Sequence, residues 1–143
     1  MSTDGSLAHG VVLAHGSMAQ GMVDAVRQIT GVEENALIPL SNTGVGPEEL
    51  TARVQEAMGS GPAVLFVDLQ AGSCAFLARR LCRERTDQAA LFGVNLPQLL
   101  DFVTHRELPV AELVPRLLER GRSSICCAPA TLEEHADHSV SRG

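Results

Sequence analysis

The chain has no tryptophan and no tyrosine, and four phenylalanines are its whole aromatic complement across 143 residues. Proteins that hold single-stranded nucleic acids stack the bases on aromatic rings, and this chain has few to offer. Positive charge is scarce as well. Eleven Lys and Arg face seventeen Asp and Glu, a formal net charge of −6 that repels a phosphate backbone. The densest basic cluster, Arg79, Arg80, Arg83 and Arg85, is balanced nearby by Glu84 and Asp87, as on a solvated helix face. Nucleic acid is therefore not an expected partner.

Long hydrophobic runs are missing too. None reaches the roughly 18 apolar residues of a membrane-spanning helix, and residues 1–6 lack the basic and apolar regions of an export signal. A soluble, cytoplasmic protein is expected. The four cysteines, Cys74, Cys82, Cys126 and Cys127, show neither Cys-x-x-Cys spacing nor a histidine partner at zinc-finger spacing. They read as reduced, mostly buried packing groups, and neither a metal nor a cofactor is expected. Without internal repeats or linkers, the length fits one domain, placed at 8–128. Residues 129–143, with several charges, His135 and His138, read as a flexible tail.

What is present is an alternation of short apolar runs with amphipathic stretches. Residues 10–14 read as a buried strand, and Ser17 with Gln20 three positions later is a capping-box pattern opening a helix. Met18, Met22, Val26 and Ile29 recur at helical spacing along it, and Gly31 supplies a stop. Residues 36–40 form a second run whose Pro39 cannot donate to a ladder, which sends it to a sheet edge. Pro47-Glu48-Glu49 opens the next helix with proline in the first turn and acids at its positive end. The run 63–67 is apolar throughout, as in a central parallel strand covered on both faces. A helix carrying Phe76, Leu77 and Leu81 follows Ser73, and a fourth run spans 89–94. Two more helices follow, one with Leu99, Leu100, Phe102 and Val103, the other over about 110–120 with Pro115 inside. Residues 125–128 read as a short final strand.

Strands alternating with helices imply an α/β, doubly wound, mainly parallel sheet with right-handed crossovers and helices on both faces. With the proline-bearing strand at the edge the order is 2-1-3-4, plus the short C-terminal strand. In that order the sheet changes its direction of growth between the first and third strands, where open α/β sheets bind ligands. The residues at those two carboxyl ends are His15 and Asp68.

An imidazole titrates near neutrality and can act as base, metal ligand or nucleophile. A carboxylate on the adjacent strand would keep one ring nitrogen protonated and leave the other lone pair facing outward. Two helix starts, Gly16-Ser17 and Gly72-Ser73, border the same crevice, and their free N–H groups make a cradle for an anion. No serine is placed as an attacking hydroxyl. A lone histidine also serves as a hydrogen-bonded structural residue, and an aspartate after a strand often only caps a helix. Spacing alone leaves both readings open.

Four blocks resemble a known family. Residues 11–16 followed by Met18-Ala19-x-Gly21, then Leu65-Phe66-Val67-Asp68-Leu69, Gly72-Ser73, and Gly93-Val94-Asn95-Leu96-Pro97 look like the EIIA domain of the mannose-type phosphotransferase system, in order over roughly residues 8–127. The resemblance implies a phosphotransferase with a phosphohistidine intermediate. His15 would take a phosphoryl group at Nε2 from phospho-HPr and pass it to a mannose-type EIIB in sugar uptake. Asp68 would bond the other ring nitrogen. Gly16, Ser17, Gly72 and Ser73 would form the phosphate cradle. The resemblance also implies a homodimer in which a strand after the last helix, placed at 124–128, pairs across the subunit boundary.

The chain departs from the family where Gly-Gly-Ser-Pro and, two residues on, Asn are usual. Here Ala71-Gly72-Ser73-Cys74 leads to Phe76, and Gln70 stands where an aromatic is frequent. Two rival functions share the histidine chemistry. One is a regulatory module whose phosphorylation changes partner affinity without serving transport. The other is the phosphoryl-donor subunit of a dihydroxyacetone kinase, where a serine would be expected in place of Gly16.

Overall fold

In a computed structural model, which describes residues 6–133, strands and helices alternate along the chain. The elements are β1 (His9–Ala14), α1 (Met18–Thr30), β2 (Leu37–Ser41), α2 (Pro47–Met58), β3 (Ala63–Val67), α3 (Ser73–Cys82), β4 (Gln88–Phe92), α4 (Leu96–Val103) and α5 (Val110–Ser123). The four strands form one all-parallel sheet in the order β2-β1-β3-β4. Pro39 lies on an edge strand, where its missing N–H costs no inner ladder bond.

Successive strand side chains point to opposite faces, so the apolar runs fill two cores at once. Val12, Ala14, Val64 and Phe66 pack on one face under α1, α4 and α5. Val11, Leu13, Leu65 and Val67 pack on the other with Leu50, Val54 and Met58 of α2 and Leu77 of α3. The Phe66 and Phe102 rings meet edge to face, 5.3 Å between centroids. Gly10 is required by close approach: a Cβ there would stand 2.5 Å from the Phe102 ring and 2.7 Å from a Leu37 methyl. Gly31 ends α1 in the left-handed conformation, φ 70°, and its N–H closes on the Arg27 carbonyl.

Several local expectations are corrected. The capping box does not form: Ser17 stands at the N-cap of α1 without a side-chain bond, and Gln20 donates instead to Asp24 one turn on. The inward face of α1 is Ala19, Val23 and Val26, with Met22 packed beside them. Met18 and Ile29, expected on that face, are exposed.

The short C-terminal strand expected at 124–128, to pair across a subunit boundary, is not seen among the described residues of the single chain. Ser124 and Ile125 instead close α5, their N–H groups bonding to the Arg120 and Arg122 carbonyls. Cys126 and Cys127 follow as exposed thiols rather than packing groups. Of the expected tail, Leu132 and Glu133 donate back to Pro129 and Ala130 in a turn, while 134–143, with His135 and His138, lie outside the described residues.

Candidate functional site

Parallel pairing in register, Leu13 opposite Val67, brings β1 and β3 to their carboxyl ends together. One further bond, Asp68 N–H to the Leu13 carbonyl at 3.3 Å, carries the alignment past the last strand residue. Asp68 is thereby held beside His15. Its Oδ2 accepts the His15 backbone N–H at 2.9 Å and lies 2.7 Å from His15 Nδ1. Its Oδ1 accepts the Leu69 N–H at 2.9 Å. An ionised carboxylate only accepts, so Nδ1 carries the ring proton and the lone pair belongs to Nε2. Among the described residues no protein group bonds to Nε2.

The two side chains differ sharply in exposure, 6% for Asp68 against 47% for His15. The carboxylate is screened from water while the ring presents its free nitrogen to solvent. Burial works to raise the Asp68 pKa, but it is outweighed by the bonds from the His15 ring and backbone, the charge of the ring and the Leu69 amide. Together they hold the carboxyl below its ordinary 3.8. The orienting group is thus an anion throughout the neutral range.

Each of the two expected helix starts follows one member of this pair in the chain, Gly16-Ser17 after His15 and Gly72-Ser73 four residues beyond Asp68. Gly16, at φ 59°, turns the chain directly after His15, and α1 begins two residues later. Gly72, at φ 103°, turns it into α3, whose first intrahelical bond runs from Phe76 N–H to the Gly72 carbonyl. The amides of Ser73, Cys74 and Ala75 precede that bond and are orphans of the helix end. Structure and sequence agree that His15 and Asp68 touch. Ser73 makes no hydrogen bond to either, and with Asn42 it lines the adjoining groove.

Other chemically capable groups stand apart. Cys74 is buried, and burial followed by the Asp68 charge pushes its thiol upward against a bond from Ser73, which keeps it protonated. His9 is exposed at the far end of β1, and His105 bonds the Asp101 carbonyl at the end of α4. No cluster of three His, Cys, Asp or Glu able to hold a metal occurs among the described residues.

Residues 10–116 match the family model EIIA-man, described as the fructose IIA component of the phosphotransferase system. The chain belongs to this EIIA family. A relative 28% identical over 138 residues, covering 90% of this chain and 98% of its own length, is the sorbose-specific EIIA component of the phosphotransferase system of Klebsiella pneumoniae. Among solved structures, a phosphotransferase system EIIA from Streptococcus agalactiae superposes with a TM-score of 0.77 at 21% identity, over 85% of this chain and 97% of that one. The mannose/sorbose specific IIA subunit from Enterococcus faecalis gives 0.71 at 20% identity, over 85% and 95%. At those identities the two structures speak for the fold.

In this EIIA, Phe76, one of the departures from the family pattern, is 66% exposed on α3, while Cys74, Ala75, Leu77 and Ala78 face inward. The helical spacing accounts for it: Phe76 is about 100° around the helix from Leu77. No helix of the described residues is long and apolar enough to cross a membrane.

Proposed function

We infer that this EIIA is a phosphocarrier whose His15 takes a phosphoryl group from phospho-HPr and passes it to a mannose-type EIIB in sugar uptake. The observation that carries the reading is the 2.7 Å contact of His15 Nδ1 with Asp68, which fixes the lone pair on the exposed Nε2. That lone pair attacks the donor's phosphorus in line as the donor's N–P bond breaks and its electrons return to the donor imidazole. The Nδ1 proton stays in its bond to Asp68, so the ring's gained positive charge faces a carboxylate. In the second transfer the acceptor's histidine attacks and the His15 N–P bond breaks. Loose phosphoryl transfer asks mainly for positioning and for neutralisation of phosphate charge. The turns at Gly16-Ser17 and Gly72-Ser73 supply amides and hydroxyls for the latter. The protein works in the cytoplasm, as a homodimer.

The test is incubation with enzyme I, HPr and phosphoenolpyruvate, followed by addition of EIIB. Acid-labile label is expected on the wild-type chain and then on EIIB. A His15→Ala protein that still takes up label overturns the assignment, and label that never leaves for EIIB overturns the transport half of it.

A further inference from the structure

The segment between Asp68 and α3, residues 69–72, belongs to no helix or strand, yet it carries an amide that meets the Asp68 carboxylate. Few bonds hold it in place. Among the described residues the Leu69 N–H reaches Asp68 Oδ1 at 2.9 Å, and at the other end the Gly72 carbonyl accepts from Phe76 to open α3. Between those two ends a single tie comes from elsewhere in the chain: Arg79 Nη2 donates to the Gln70 carbonyl at 3.0 Å.

The guanidinium that makes this tie is itself held by a second contact. It lies over the Phe92 ring, 4.0 Å from the centroid, a cation–π stack whose planar fork keeps its N–H groups free at the edge for a carbonyl. Phe92 ends β4 opposite Val67, the residue before Asp68, and the Gly93 and Val94 N–H groups close on the Val67 carbonyl at 2.8 and 3.1 Å. The ring is therefore anchored to the same strand end that carries Asp68. Other arginines are used differently. Arg53 pairs with Glu49 and Arg85 with Asp87, whereas Arg79 has no carboxylate partner among the described residues. A surface contact of this kind adds little to stability, so what it supplies is a position.

We propose that Arg79 is a positioning residue for the phosphotransfer: braced on Phe92, it holds the Gln70 carbonyl and, through the adjoining Leu69 amide, fixes the Asp68 carboxylate that orients the His15 ring. Leu69 and Gln70 are neighbours, so a fixed Gln70 carbonyl leaves the Leu69 N–H little freedom to swing away from Asp68 Oδ1. The other carboxylate oxygen then stays 2.7 Å from His15 Nδ1. Arg79 bonds to neither His15 nor Asp68 and is not a catalytic residue. The proposal rests on the phosphocarrier function above and concerns the rate of the chemical step.

The experiment is rapid-quench labelling of the full chain over a range of phospho-HPr concentrations, with the tautomer of the His15 ring read by nitrogen NMR in the unphosphorylated protein. Arg79 is exposed, so the variants keep the fold, and their melts are expected to match that of the wild type. Arg79→Lys and Arg79→Gln lower the maximal rate about fivefold and leave the half-saturating concentration within about twofold, a loss of the size that slight misplacement of a reacting group causes. Lysine keeps the charge but not the planar fork, so it does not rescue. Both variants move the ring away from the single Nδ1–H tautomer. Arg83→Gln, which removes a neighbouring charge and no bond to the turn, leaves rate and tautomer as in the wild type. An Arg79→Lys protein with the wild-type rate overturns the proposal, and so does a raised half-saturating concentration at unchanged maximal rate, or slower transfer with the wild-type tautomer. Wild-type protein that takes no label from phospho-HPr overturns the phosphocarrier function together with this role. Wild-type protein that labels normally beside variants of unchanged rate overturns the role of Arg79 alone.

Discussion

Three N–H groups converge on the Asp68 carboxylate, from the His15 ring, the His15 backbone and Leu69, and this convergence fixes the ring as well as the charge. Replacing Asp68 by Asn leaves the shape nearly intact but puts an amide where only an acceptor stood. Its N–H favours protonation of the ring at Nε2 and removes the lone pair from the nitrogen proposed to attack. Asp68→Asn is expected to slow labelling of His15 at least 100-fold, within what one positioned proton-handling group contributes. Rapid-quench transfer from phospho-HPr measures it. The same substitution alters acid stability in a definite direction. A carboxyl with a lowered folded pKa stabilises the fold fully above its unfolded value, 3.8, and the contribution disappears as pH falls through the lower folded value. Acid unfolding of the wild type therefore carries a loss below about pH 3.8 that Asp68→Asn does not show, read by circular dichroism against pH. At this scale the sequence was most informative where topology did the work. His15 and Asp68 each end an apolar run, and strand order alone makes them neighbours. Phe76 stood out in the sequence only as a departure from the family pattern; its exposure follows because its neighbours Cys74, Ala75, Leu77 and Ala78 complete the inward face.

Among the elements, strands were more legible than helix faces, for a physical reason. A parallel strand buried on both sides needs an unbroken apolar run, which composition reveals directly. A helix reveals only a period, and small residues fill a tight face as well as large ones do. In α1, Ala19, Val23 and Val26 take the inward positions, and the bulkier Met18 and Ile29 turn outward. Close packing against α4 makes Gly10 a sensitive position on β1. A methyl group there meets the edge of the Phe102 ring, which is itself held against Phe66 and fully buried. With no room for that ring to retreat, Gly10→Ala is expected to cost about 1–3 kcal/mol, the range for overpacking a filled core. Urea unfolding followed by circular dichroism gives the figure, and His15 labelling of the folded fraction stays normal. A variant as stable as the wild type would mean that α4 moves away from the sheet at little cost.

For the whole molecule, the order 2-1-3-4 follows from one proline and the alternation of elements, and the structure has that order. The final segment has no neighbouring edge among the described residues of one chain, and a run such as 125–128 becomes a strand only when an edge is there to pair with it. Here its first amides are taken up by the end of α5. We propose that residues 8–128 fold without the remainder of the chain. Among the described residues every side chain of the two cores lies between Ala8 and Leu117, and the partly buried groups packed on them extend only to Leu118. Removing 129–143 takes away no core contact among the described residues, and changes at exposed positions usually stay within about 0.5 kcal/mol. For a chain of this size that corresponds to a shift in Tm of no more than about 3 °C. Calorimetry on the full and shortened chains should therefore give coincident transitions, with equal extents of His15 labelling. Sedimentation of both forms at twice the chain mass is expected for the homodimer. A shortened chain that melts well below the full one would place stabilising contacts beyond residue 128, and one that melts normally but sediments as a monomer would place the subunit boundary there.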